Sequence, residues 1–189
     1  MRLSNTPLAR LVLAAALCLT PLAAPGEPVA TVERAESELE EGVWLLDADL
    51  RLVPSPTMRE AVDNGARLEL KATIEVYREQ DWWPDESVAH LTQRYSLRYH
   101  PLTRRVVTTA HNSGDRRSYA DLGNALRALG QLQPIPILDH ALVDDCRRCY
   151  GRIRIELGVA SVPLLHHPVH WFTNDWSLES PWFRWRIGT

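Results

Sequence analysis

Between Ala66 and Ala110 the chain carries its clearest period-two pattern. From Leu68 to Val76 the apolar residues Leu68, Leu70, Ala72, Ile74 and Val76 alternate with Glu69, Lys71, Thr73 and Glu75, the signature of a half-buried strand. Tyr95, Leu97 and Tyr99 repeat the alternation against Arg94, Ser96, Arg98 and His100, and Asp81-Trp82-Trp83-Pro84-Asp85 between the two runs suits a chain reversal. After the turn at His100-Pro101-Leu102-Thr103, Val106 to Ala110 supplies a third strand, so the centre of the chain predicts a three-stranded antiparallel meander. Its register places Leu70 and Ile74 in the core and Glu69 and Lys71 in solvent, because a slip of one residue would invert every side chain.

The flanking segments extend the picture. Pro28 to Glu36 reads as a weak strand ending in an acidic turn, Glu38 to Gly42, and Val43 to Val53 as a stronger one with Trp44, Leu46, Ala48, Leu50 and Leu52 on one face; the two suit a hairpin. Ser55-Pro56 gives an N-cap and a first-turn proline, Met58, Ala61 and Val62 make an apolar stripe, and Asn64-Gly65 stops this short helix. Ser118 with Asp121 suggests a capping pair for a second helix, whose apolar face is Tyr119, Leu122, Leu126 and Leu129 and which Gly130 closes. Pro134 and Pro136 make Gln131 to Leu138 an extended connector, and Asp139 is placed to cap a third helix to about Tyr150. Arg152 to Leu157 reads as a strand, Val162 to Phe172 as an extended edge segment broken by Pro163 and Pro168, and Phe183, Trp185 and Ile187 as the inward residues of a last strand. Strands thus dominate, without obvious parallel strand-helix-strand units. The expected fold class is α+β, built mainly on an antiparallel sheet that a sandwich would close, with two or three short helices over one face or end.

Composition adds a compartment. Arg2 and Arg10 precede the apolar run Leu11 to Leu19 and the small residues around Ala23-Ala24-Pro25-Gly26, the layout of a secretory signal peptide over residues 1–26. The apolar stretch contains Pro21 and is shorter than the roughly 20 residues a spanning helix needs, so no integral membrane span is expected after cleavage. The expected domain organisation is this signal peptide followed by one globular domain, residues 27–189, in the periplasm or secreted. Arg2 and Arg10 are the only charges in the leader, so its removal lowers the formal charge from -3 to -5. That acidity argues against nucleic acid as a partner.

Candidate chemistry is sparse. Cys146-Arg147-Arg148-Cys149 reads as a structural pair, oxidised or not, as metal ligands, or as a redox pair. With His166 and His170 it forms C-x2-C-x16-H-x3-H, which looks like a two-cysteine, two-histidine zinc spacing; the bland reading of those histidines is a surface cluster. Among the seven tryptophans, Trp82 and Trp83 are adjacent at a break, so an extended backbone would point them to opposite sides and expose one. Trp182 shares a face with Arg184 and Arg186, and the three tryptophans form a candidate interaction surface. Asp47 and Asp49 share a strand face, where alternation places them in solvent as readily as in an acid pair. His90, His100 and His111 have no sequence-defined partners, and no nucleophile elbow, phosphate loop or dinucleotide fingerprint is present. No cofactor is expected.

One combination of features goes further: the leader, Leu46-Asp47-Ala48-Asp49, Glu60 to Gly65, Trp82-Trp83, Tyr95 to Thr103 and the tail Asp175 to Trp182. Together they resemble the exported bacterial proteins of domain-of-unknown-function family 4390, over nearly all of the chain after the leader. The resemblance implies no reaction and no catalytic residues. In some members the gene lies beside that of a sensor histidine kinase resembling the nitrogen-regulation type, which makes such a kinase an expected periplasmic partner. The leading expectation is therefore a non-enzymatic periplasmic module that binds a partner or ligand through an exposed part of its sheet and its aromatic loops. The alternative is an envelope metal protein or enzyme using Cys146, Cys149, His166 and His170.

Overall fold

A computed structural model describes residues 27, 29–142, 148–161 and 176–188. The elements run β1 (Val29–Glu40), β2 (Val43–Val53), α1 (Pro56–Asp63), β3 (Arg67–Arg78), β4 (Glu86–His100), β5 (Arg105–Ala110), β6 (Arg116–Tyr119), α2 (Leu122–Leu129), β7 (Gln131–Asp139), β8 (Cys149–Ser161), β9 (Ser177–Glu179) and β10 (Phe183–Arg186). They build an α+β fold of two antiparallel sheets and two helices. The small sheet has the order β1-β2-β7; the large one has the order β10-β8-β3-β4-β5-β6, with β9 also paired to β8.

Both sheets contribute to one apolar core. Leu46, Ala48 and Leu50 enter it from β2, Leu68, Leu70, Ala72, Ile74 and Val76 from β3, and Ile153, Ile155 and Leu157 from β8. β1 packs on β8, β9 and β10, α1 on β3, β4 and β8, and α2 on β2, β5, β6 and β7, so one face of the large sheet is covered. At the join, the indole of buried Trp185 lies over Gly151 and its Nε1 donates to Ser37 Oγ on β1 at 3.3 Å. A side chain at position 151 would occupy the space of that ring, which is why a glycine interrupts β8 there.

The meander has the expected register: Leu70 and Ile74 are fully buried. Glu69 and Lys71 are half-buried rather than exposed, since β3 is interior to its sheet and charged neighbours flank it, Lys71 donating to Glu156 Oε1 at 3.1 Å and Arg94 Nε lying 3.9 Å from Glu69. The β1-β2 hairpin also forms, but β1 runs through the expected acidic turn to Glu40. Reversal is left to Glu41-Gly42, both at positive φ, the twist a two-residue hairpin needs. Ser55 caps α1 through the Met58 N–H at 3.1 Å.

Three expectations are corrected. The cap of α2 is Asp121, which accepts from the Asn124 N–H at 2.7 Å; Ser118 and Tyr119 belong instead to β6, paired with β5. Gln131 to Asp139 is more than a connector, because it pairs with β2 as an edge strand, where prolines are tolerated. The expected third helix does not run to Tyr150: Asp139 ends β7, a 3-10 turn spans His140–Leu142, and Cys149 and Tyr150 open β8 opposite Arg78 and Tyr77, while residues 143–147 lie outside the described residues. β4 begins nine residues before Tyr95, because Gln93 interrupts the apolar phase of Ala89, Leu91 and Tyr95 and a bulge at Val88 shifts the phase before that. The Val162 to Phe172 segment lies outside the described residues.

Candidate functional site

The covered face of the large sheet is apolar, so its charged and aromatic positions collect on the other face, over which no described element packs. Register decides which meet. Glu75 stands opposite Arg152 on β8 and His90 on β4, and Tyr77 opposite Tyr150. Arg152 Nε donates to Glu75 Oε2 at 2.6 Å, Arg152 Nη2 to Tyr77 Oη at 3.0 Å, and Tyr77 Oη to Glu75 Oε2 at 2.9 Å; His90 Nδ1 lies 3.3 Å from Glu75 Oε1. The Arg152 guanidinium sits over the rings of Tyr77 (4.7 Å) and Trp182 (4.5 Å), Arg154 over Trp182 (4.9 Å) and Arg184 over Tyr150 (3.5 Å), while Tyr77 and Tyr150 stack 5.6 Å apart. Arg154 Nη1 also pairs with Glu179 Oε1 at 2.5 Å.

These contacts fix the charge state. Burial pushes the Glu75 carboxyl up, but hydrogen bonds from Arg152 and Tyr77 and the charges of Arg152 and His90 outweigh it and hold it below the usual glutamate range. The bond to Glu75, with burial, raises the Tyr77 phenol; burial and Asp85 raise that of Tyr150. At neutral pH Glu75 is thus ionised and both phenols are neutral, so the array suits recognition by shape and charge more than proton transfer.

Beside the array, the β3-β4 loop is tied down along its length. The Glu79 N–H donates to the Arg148 carbonyl at 3.0 Å, and the Glu79 carboxylate pairs with Arg184. Arg148 also holds the Asp81 carboxylate through both Nη atoms, and Asp85 accepts from the Gln80 N–H at 3.3 Å and from Tyr150 Oη at 2.7 Å. The bond from Arg148 pulls the Asp81 carboxyl below its usual range, and the bond from Tyr150 does the same for Asp85. What this frame presents is Trp82, 92% exposed, and Trp83, 76% exposed. Both tryptophans face water, not one as an extended backbone would require, because the segment bends at 81–83. Trp182 is half-buried beneath Arg152 and Arg154.

The remaining candidates lie elsewhere. Cys149 is buried and disulfide-bonded, and a disulfide sulfur is not a thiolate ligand. Cys146, His166 and His170 lie outside the described residues. Among those described, no cluster of three or more His, Cys, Asp or Glu is placed to hold a metal. Asp47 and Asp49 border a polar depression of about 260 Å³ with Arg34, whose Nε is 3.7 Å from Asp49. Glu75, Tyr77, Tyr150 and Arg152 escaped the sequence reading, since alternation marks such positions only as outward; the available signal was an arginine and tyrosine excess at outward positions of neighbouring strands.

Architecture and surface define a two-sheet antiparallel α+β protein with an aromatic, arginine-rich outer face. The chain belongs to the domain-of-unknown-function family DUF4390, whose model matches residues 27–186. No curated protein and no solved structure matches it. Among the described residues no helix is long and apolar enough to cross a membrane.

Proposed function

We propose that this protein is an exported, non-enzymatic interaction module whose docking surface is the Trp82-Trp83 loop and the aromatic, arginine-rich face beside it. The observation that supports this is the exposure of two adjacent tryptophans on a loop held by Asp81, Asp85 and Glu79. Exposed indoles add nothing to the core, whereas pre-ordered ones lower the entropy lost on binding. Tryptophan and arginine are also the residues that dominate interface energies. The leader Met1 to Gly26 supports export to the periplasm, where the sensory region of an envelope histidine kinase is the first partner to test.

A photo-crosslinking amino acid at position 83 tests the reading in living cells. A discrete protein adduct is expected there and not from position 102, where Leu102 is fully solvent-exposed in the turn at the other end of β4. No adduct at 83, or the same adducts at both positions, would overturn it.

A further inference from the structure

Most edges of the two sheets are blunted among the described residues. β7 carries Pro134 and Pro136, β1 has a bulge and Glu33, Glu36, Glu38 and Glu40, and β6, β9 and β10 have only four, three and four residues. Such features keep free strand edges from recruiting other chains. The first half of β4 is different. β5 pairs only with Tyr95 to His100, so Glu86 to Leu91 has β3 on one side and no described strand on the other. Its defences are Glu86 and the bulge at Val88.

The direction of its backbone groups follows from the next residues. The Arg94 N–H donates to Asn112 Oδ1 at 3.2 Å, its carbonyl accepts from the His111 N–H at 2.8 Å, and the Thr92 carbonyl accepts from Asn112 Nδ2 at 3.1 Å. Even-numbered residues here turn their backbone groups away from β3. Pairing with β3 is unbroken from Arg94 back to Ala89, so His90 also offers its N–H and carbonyl to the open side. The open stretch starts three residues after Trp83, and Asn112 closes its far end.

Resting on the docking reading above, we infer that the Glu86–Leu91 edge of β4 takes up an extended segment of a partner protein as an added strand, with apolar side chains of that segment against Trp82 and Trp83. The outward N–H and carbonyl of His90 would pair with an extended backbone, and the exposed indoles recognise what it carries. The large sheet would gain a strand beside β4 where β5 does not reach.

Ten-residue peptides selected from a phage-displayed library on the folded protein, then resynthesised, provide the probe. His90→Pro removes the outward N–H at an edge position that tolerates proline. His90→Ala removes only the side chain. Whatever loss of the imidazole costs in His90→Ala, selected peptides are expected to bind His90→Pro at least tenfold more weakly than His90→Ala. Independently of any variant, the His90 amide should exchange quickly in the free protein and become protected in the complex, as read by NMR. Equal binding to His90→Ala and His90→Pro, no change in His90 exchange, or no enriched peptide would overturn the inference. Self-association lost in His90→Pro would also overturn it, by assigning the edge to a second copy. Binding that needs Trp82 and Trp83 but not the His90 N–H refutes strand addition alone; binding that needs neither refutes the docking reading as well.

Discussion

Replacing Gly151 by alanine tests how the two sheets are joined. An ideal Cβ there falls 2.5 Å from Trp185 Cε2 and closer still to two other ring atoms, whereas carbon atoms rest at about 3.5 to 4.0 Å. The indole would have to retreat by roughly 1 Å within a close-packed core. Overpacking of this kind costs about 1–3 kcal/mol, and loss of the bond from Trp185 Nε1 to Ser37 would add about 1 kcal/mol. Restricting the unfolded chain returns about 0.4–1 kcal/mol. The net expectation is about 2 kcal/mol of destabilisation, a fall in Tm of roughly 4–8 °C for a chain of this size. Gly158→Ala on the same strand is the control, since its Cβ would meet nothing nearer than 3.5 Å; it should be neutral or slightly stabilising. Urea unfolding and thermal melts of both variants decide. Equal stabilities would refute the packing account, as would a double variant with Trp185→Leu showing no coupling to Gly151→Ala.

The charged face and the cysteines give further tests. Glu75 has its carboxyl held below the ordinary 4.5, so its contribution is present above that value and lost as pH falls through its lower native one. Urea midpoints of wild type and Glu75→Gln should therefore differ near neutrality and converge in acid; a gap constant down to about pH 3 would contradict the ion-pair account. Replacing Cys146 and Cys149 together by alanine should leave a folded protein by circular dichroism. A bond between these two, three positions apart, would close little loop entropy, well under the roughly 3 kcal/mol of a 15-residue loop. An unfolded double variant, with stoichiometric zinc in the wild type, would instead favour the metal reading.

How much of this was legible in the sequence follows from how local each cause is. β2 and β3 announce themselves because strict alternation and burial coincide: Leu46, Ala48 and Leu50, then Leu68, Leu70, Ala72, Ile74 and Val76, face the core. α1 was readable from Ser55-Pro56 and Asn64-Gly65, a cap and a stop written in adjacent residues. The start of β8 was not, because the stripe of Leu142, Cys149 and Tyr150 fits a helix equally well, and only pairing with Arg78 and Tyr77, over 70 positions earlier, decides for strand. The same separation hid the outer array. Trp82 and Trp83 could be picked out as a pair at a break, but Arg148, Tyr150 and Arg184, which hold their loop, come from β8, its approach and β10.

The docking surface is tested most directly by titrating the partner trapped at position 83 into wild type and into Trp82→Ala/Trp83→Ala, with Tm measured in parallel. Both indoles project into solvent, so stability should change by no more than about 0.5 kcal/mol, while affinity should fall at least 30-fold, the effect of losing about 2 kcal/mol at an interface centre. A double variant that is folded, equally stable and binds the partner as tightly as wild type would contradict the account.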